Sequence, residues 1–212
     1  MSVAEIARQR GVEEVIHFTT NRGLAGILYS KAIKSRERLR EEETLEFIFS
    51  PNADTRKDVA WLDYVNLSIT GINSHFFEAS ERWHRPEDIW WCVLSLAPEV
   101  LTHEGVYFTT TNNIYTSVLR GVGPETFGSL FAERIVRWRN NVVTRDPASP
   151  LNYVTCEQAE VLYPGEVPVD FLKKIYLVSD EIADEVHGLV SVLGYKDIEI
   201  VVKPEVFCDV IG

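Results

Sequence analysis

The segment Ile89–Leu96, IWWCVLSL, constrains the fold more than any other, because Ser95 is its only polar residue. A near-continuous apolar run of strand length, too short for a buried helix, predicts a strand at the centre of a sheet. Other strand-like segments supply its neighbours. In VNLSIT (Val65–Thr70), Val65, Leu67 and Ile69 point one way and Asn66, Ser68 and Thr70 the other. VIHFT (Val15–Thr19), VYFTT (Val106–Thr110), QAEVLY (Gln158–Tyr163), KKIYLV (Lys173–Val178) and IEIVVK (Ile198–Lys203) also read as strands.

Helical patterns lie between them. Ser2 and Glu5 have capping-box spacing before a helix that stops at Gly11. Thr20 or Asn21 can cap a helix carrying Leu24, Ile27 and Leu28 on one face, and Ser179–Leu193 has the same periodicity. ETFGSLFAERIVRW reads as a helix, NNVVTRDPASPLNY and Ser50–Asp63 as loops, and the basic stretch Lys31–Arg40 as an exposed helix end or loop. There is no repeat and no strict strand–helix alternation. The expectation is one α+β domain over residues 1–212, with a mainly antiparallel sheet flanked by helices.

Composition narrows the function. At 45% hydrophobic and 25% charged, the chain is an ordinary globular one. No apolar run approaches the roughly 20 residues of a membrane span. The N-terminus lacks a secretory pattern. Cys92, Cys156 and Cys208 form neither a CxxC pair nor a disulfide framework, so a reducing, cytoplasmic setting is expected. A net charge of −11 argues against a protein that coats nucleic acid, while leaving room for one local basic patch.

The sequence has no GxGxxG, no P-loop, no GxSxG and no HExxH, and its histidines lack metal-ligand spacing, so no metal is expected. Polar residues in or beside apolar strands remain. His17 follows Val15–Ile16, and a lone strand histidine is commonly a satisfied core residue. Glu160 lies between Ala159 and Val161; a carboxylate there is costly if buried and unpaired, but unremarkable on a solvated face. Arg56 stands in a polar loop, where a solvated arginine is the simplest reading.

Taken in order, several segments resemble the DarT family, bacterial toxins that ADP-ribosylate DNA. They are HFTTNRGLAGIL (17–28), Arg56 seven residues before Asp63, VNLSI (65–69) followed by Asn73 and Phe76–Phe77, WWCVLSLAPEVL (90–101), VYFTTTNN (106–113) and CEQAEVLYPGEVPVDFLKKIYLV (156–178). The resemblance spans residues 15–178. One departure is Thr70-Gly71-Ile72-Asn73, where the family more often has Phe-Pro-Asn.

The resemblance implies a split ADP-ribosyltransferase sheet and a pentosyl transfer, with NAD as co-substrate, from NAD to a base in single-stranded DNA. Glu160 would stabilise the oxocarbenium-like transition state beside the ribose and help remove the acceptor's proton. His17, Thr19 and Asn21 would hold NAD. Arg56 would contact the phosphates or ribose and assist the acceptor step. The DNA path would use Lys34, Arg36, Arg38 and Asn73, or the group Arg134, Arg137, Trp138, Arg139 and Arg145. A cognate antitoxin, an ADP-ribose-removing hydrolase, is the implied partner. The family divides between thymine and guanine acceptors. An RNA or protein acceptor, an NAD glycohydrolase and a non-enzymatic nucleic-acid-binding module are the competing readings.

Overall fold

The apolar run forms a strand enclosed on both faces. In the computed structural model, which describes residues 1–40, 59–83, 88–116 and 118–207, β4 (Trp91–Leu96) has Cys92, Val93, Leu94 and Leu96 fully buried. Its one polar side chain is satisfied: the Ser95 hydroxyl donates to Glu14 Oε2 at 2.6 Å, and the Tyr176 hydroxyl donates to the same oxygen at 2.8 Å. β1 (Val15–Thr20) runs antiparallel to β4 along its whole length, from Val15 opposite Leu96 to Thr20 opposite Trp91. β11 (Leu172–Leu177) flanks β4 on the other side. β12 (Glu199–Val202) pairs in parallel with β11 at the edge, after the crossover helix α6 (Asp180–Val192).

The other half of the sheet contains β3 (Tyr64–Ile69), β9 (Glu160–Pro164), β5 (Tyr107–Thr109) and β6 (Arg120–Gly121), giving the order β12-β11-β4-β1-β3-β9-β5-β6. The halves are joined weakly. β1 meets β3 only at Val15–Ile69 and Ile16–Ser68, and past that point the strands part. The expected α+β fold with a split, mainly antiparallel sheet is present.

The alternation in β3 decides which face packs where. Val65, Leu67 and Ile69 enter the main core with Leu24 and Leu28 of α2 (Asn21–Ser30) and Val186 and Val190 of α6. The opposite face carries a smaller cluster in which Phe18, Phe77 and Trp91 meet at ring distances of 5.4, 5.5 and 5.8 Å. Phe77 lies on α4 (Ser74–Trp83), and Phe207 of the C-terminal segment packs on it at 5.8 Å. α1 (Val3–Arg10) has the capping box of Ser2 and Glu5, and Gly11 ends it at φ +69°.

Local expectations fail in three places. ETFGSLFAERIVRW is not one helix: α5 covers only Gly123–Ser129, and Arg134–Val136 is a strand, β7. The following segment is not all loop, because Val142–Thr144 forms β8, antiparallel to β7. β-Branched Ile135, Val136, Val142 and Val143 favour this hairpin over a continuous helix. The Lys31–Arg40 stretch is ordered as β2 (Ala32–Lys34), paired with β10 (Glu166–Pro168), and α3 (Arg36–Arg40), with Ala32, Ile33 and Ser35 buried. Among the described residues, no helix is long and apolar enough to cross a membrane.

Candidate active site

The site forms where the sheet parts. Continuing the β1–β3 register would set Phe18 opposite Asn66, but the ladder has ended there. The Asn66 carbonyl is instead met by His17 Nδ1 at 3.0 Å. A carbonyl only accepts, so Nδ1 carries the proton and Nε2 is left with its lone pair. Burial pushes His17 below the ordinary histidine value, partly offset by the Asn66 bond, so the ring is neutral at pH 7. Its function-ready form is therefore an acceptor, suited to a sugar hydroxyl.

That shift has a stability consequence with a definite sign. Below pH 6.5 the unfolded chain takes up a proton on His17 that the folded chain refuses, so stability falls as the pH drops toward the depressed folded value. Above 6.5 this contribution is constant. Thermal melts between about pH 7.5 and about pH 5.5 should show the wild type losing more on acidification than His17→Gln. Equal losses in the two proteins would contradict a neutral His17 in the folded chain.

Glu160 begins β9, opposite Thr109 of β5, and its side chain lies on the face of Asn66 rather than in the main core. Oε1 accepts from Asn66 Nδ2 at 3.1 Å, and Oε2 accepts from the Asn113 backbone N–H at 2.8 Å. Thr109 Oγ1 accepts from the Glu160 N–H at 3.2 Å. Asn66 therefore touches both groups, its carbonyl on His17 and its amide on Glu160. A carboxylate fixed at both oxygens and linked through Asn66 to a histidine acceptor, where the sheet parts, can hold a ribose and stabilise positive charge as a glycosidic bond breaks.

β1 turns directly into α2, and the turn is tight. Thr20 Oγ1 caps the helix by accepting from the Gly23 N–H at 3.2 Å, and a Cβ at Gly23 would collide with the Thr19 hydroxyl. Asn21 Nδ2 donates to the Asp88 carbonyl at 2.8 Å, while its Oδ1 is buried with no partner. An unpaired buried acceptor costs about 1–3 kcal/mol, and a ligand donor such as a carboxamide would relieve it.

The remaining expected residues divide. Arg56 lies outside the described residues. Arg38 is held at 3.3 Å by Asp63 and at 3.5 Å by Glu166. Lys34 and Arg36 lie beside it on β2 and α3, half-buried or buried in part. Asn73 is buried and its Oδ1 caps α4 by accepting from the Phe76 N–H at 3.1 Å. Arg145 is bound to carbonyls of its own loop, Tyr153 and Pro150, each at 2.6 Å. Arg137 precedes a turn in the β7–β8 hairpin in which Trp138 is 57% exposed and stacks on Tyr115 at 6.4 Å and 14°. The Arg139 guanidinium lies 4.3 Å from the Trp138 ring centre. Tyr115 reaches back to the site, donating to Gln158 Oε1 at 3.3 Å, two residues before Glu160.

Asn66 and Asn113, which hold the candidate carboxylate, were not expected to do so. The signal for Asn66 is its place on the polar face of an alternating strand. Asn113 acts through its backbone, which no residue type announces. The Thr70–Asn73 departure has a physical account. Thr70, at φ +63°, donates its hydroxyl to the Asn152 carbonyl at 3.0 Å, and a Cβ on Gly71 would stand 3.1 Å from the Tyr153 ring. The turn after β3 is shaped to receive the loop that leads to Glu160.

A sheet split around a strand histidine and a doubly bonded glutamate is the arrangement expected of an ADP-ribosyltransferase. The family model described as DarT, ssDNA thymidine ADP-ribosyltransferase, matches residues 16–208, and the chain belongs to that family. The match extends past the 15–178 span of the sequence resemblance to include α6 and β12. The fold is similar to Thermus sp. 2.9 DarT in complex with NAD+, at 16% identity and TM-score 0.64, covering 93% of this chain and 98% of that one. It is also similar to Thermus sp. 2.9 DarT in complex with ADP-ribosylated ssDNA, at 14% identity and TM-score 0.64, covering 93% and 97%. Thermosipho africanus DarTG in complex with ADP-ribose matches at 14% identity and TM-score 0.57, over 92% of this chain and 51% of that one. Comparison with the curated proteins finds no match. The protein is an NAD-dependent ADP-ribosyltransferase of single-stranded DNA, with NAD+ as its co-substrate.

Proposed function

We propose that the chain acts as one domain that transfers ADP-ribose to thymidine in single-stranded DNA, with Glu160 as the catalytic carboxylate. The observation that carries this reading is the Glu160 carboxylate, held by Asn66 and Asn113 at the parting of the sheet beside the His17 acceptor. NAD lies across the split. His17 Nε2 accepts from a ribose hydroxyl, Asn21 Oδ1 accepts from the nicotinamide side, and Thr19 and Arg56 complete the pocket. Glu160 takes the hydroxyl next to the anomeric carbon. As the bond from that carbon to nicotinamide breaks, nicotinamide leaves with the bonding electrons and the carboxylate stabilises the charge on the ribose. The base nitrogen then bonds to the anomeric carbon and gives up its proton, with Glu160 as the general base.

The strand is held by the β7–β8 hairpin. Planar groups with adjacent positive charge are the usual means of gripping single strands, and Tyr115, Trp138, Arg137 and Arg139 supply both, linked toward the site through the bond from Tyr115 to Gln158. Support for the Lys34–Arg38 cluster is weaker, because Arg38 is offset by Asp63 and Glu166. Support for Asn73 rests on its amide nitrogen, its oxygen being used by the cap. The biological setting is that of a cytoplasmic toxin, with an ADP-ribose-removing antitoxin as partner. The likeness to a DarTG structure supports that pairing.

Charge reversal separates the two strand paths. Changing Arg137 and Arg139 to Glu should raise the oligonucleotide KM and flatten the salt dependence of binding by about 0.7 for each phosphate no longer neutralised. Reversing Lys34, Arg36 and Arg38 should do much less. The opposite ranking would move the strand to α3. An oligonucleotide without thymidine should remain unmodified; modification of a guanine-only strand would overturn the thymidine assignment.

A further inference from the structure

Arg120 does not touch Glu160, yet it holds the residue that does. From β6 its Nε donates to Asn113 Oδ1 and its Nη2 donates to the Asn113 carbonyl at 2.7 Å. Two donors from one planar fork set both the backbone and the side chain of Asn113. The guanidinium is itself fixed, lying 4.7 Å from the centre of the Trp61 ring, which packs against Tyr64 at 4.9 Å and Tyr107 at 5.1 Å. On the other side of Asn113, its N–H grips Glu160 Oε2 at 2.8 Å.

The arrangement is not the one that stability alone would choose. Asn113 is 4% exposed, and because Arg120 claims its oxygen, its Nδ2 is buried with no partner. Turning the amide over would set donor against donor at Arg120. The unpaired Nδ2 costs about 1–3 kcal/mol, and buried unsatisfied groups of this kind call for an explanation beyond packing.

We infer that Arg120 is a positioning residue for the transfer, acting through Asn113 to fix the Glu160 carboxylate in its working orientation. The inference rests on Glu160 being the catalytic carboxylate. A reacting group must be held within about 0.5 Å of its productive place, and a misplacement of about 1 Å can cost about a hundredfold in rate. Removing the fork frees the 111–116 turn and with it one of the bonds to Glu160.

The test is steady-state transfer from labelled NAD to a thymidine oligonucleotide. Arg120→Ala and Arg120→Lys should each lower kcat by about ten- to a hundredfold, with the KM for NAD changed by no more than about threefold. Lysine keeps the charge over Trp61 and so preserves folding, but one ammonium cannot reproduce the fork. The decisive readout is non-additivity. On a Glu160→Gln background, Arg120→Lys should lower the residual rate no further, because the group it positions is gone. A merely structural arginine would multiply its loss onto that background. Wild-type kcat in both Arg120 variants, or losses that multiply, would overturn the inference while leaving the Glu160 reading intact. A wild-type rate in Glu160→Gln alone would overturn the Glu160 reading itself.

Discussion

Replacing Glu160 with Gln is expected to lower ADP-ribose transfer by about 10²–10³-fold, the loss typical of one preorganised electrostatic group. The substitution keeps shape and removes charge. Glutamine can turn its oxygen toward the Asn113 N–H, so that hydrogen bond has a counterpart. The melting temperature and NAD affinity should therefore change little while turnover collapses. Isothermal titration with NAD, beside initial rates with labelled NAD, separates binding from turnover. A variant that labels DNA at the wild-type rate would remove Glu160 from the chemistry.

The second large effect is expected at Phe108, which shows how far the site depends on packing. Its side chain is 1% exposed and meets Phe127 of α5 at 5.0 Å. Phe108 stands opposite Val161, the residue after Glu160, and neighbours Thr109, which accepts the Glu160 N–H. Phe108→Ala removes a large buried ring and should cost about 3–5 kcal/mol. Against a total of about 5–15 kcal/mol, that is a large share. For a chain of this size it corresponds to a fall in melting temperature of about 6–20 °C. Activity should fall with the folded fraction, in contrast to Glu160→Gln, which acts on a folded protein. A melting temperature within about 2 °C of wild type would contradict the packing described for β5 and α5.

Much of the fold was legible where one physical signal acted alone. The apolar run became the buried β4, the alternation of Val65–Thr70 became β3 with the expected faces, and Ser2 and Thr20 cap the helices their spacing predicts. The failures lie where two signals competed. The helical spacing of Phe127, Leu130 and Phe131 continued into β-branched residues, and pairing with β8 decided their conformation. The parallel pairing of β12 follows from the crossover through α6, which is a matter of topology.

The candidate site was half legible for the same reason. His17 and Glu160 stood out as polar residues in apolar strands, and they lie on opposite sides of the parting. What links them does not appear as residue type. The bond between Asn66 and His17 uses a carbonyl just past the end of a ladder, and the bond between Asn113 and Glu160 uses a backbone N–H. Sequence pattern shows which side chains are available. Register and strand divergence decide which backbone groups become ligands.

As an ADP-ribosyltransferase of single-stranded DNA, the protein passes ADP-ribose from NAD to a base in the strand. The most direct measurement of this transfer is mass spectrometry of a thymidine-containing oligonucleotide after incubation with the protein and NAD. The strand should gain the mass of one ADP-ribose, borne on a thymine, with one nicotinamide released per modified strand. An unmodified strand, with nicotinamide released at the same rate whether or not DNA is present, would contradict it and make water the acceptor.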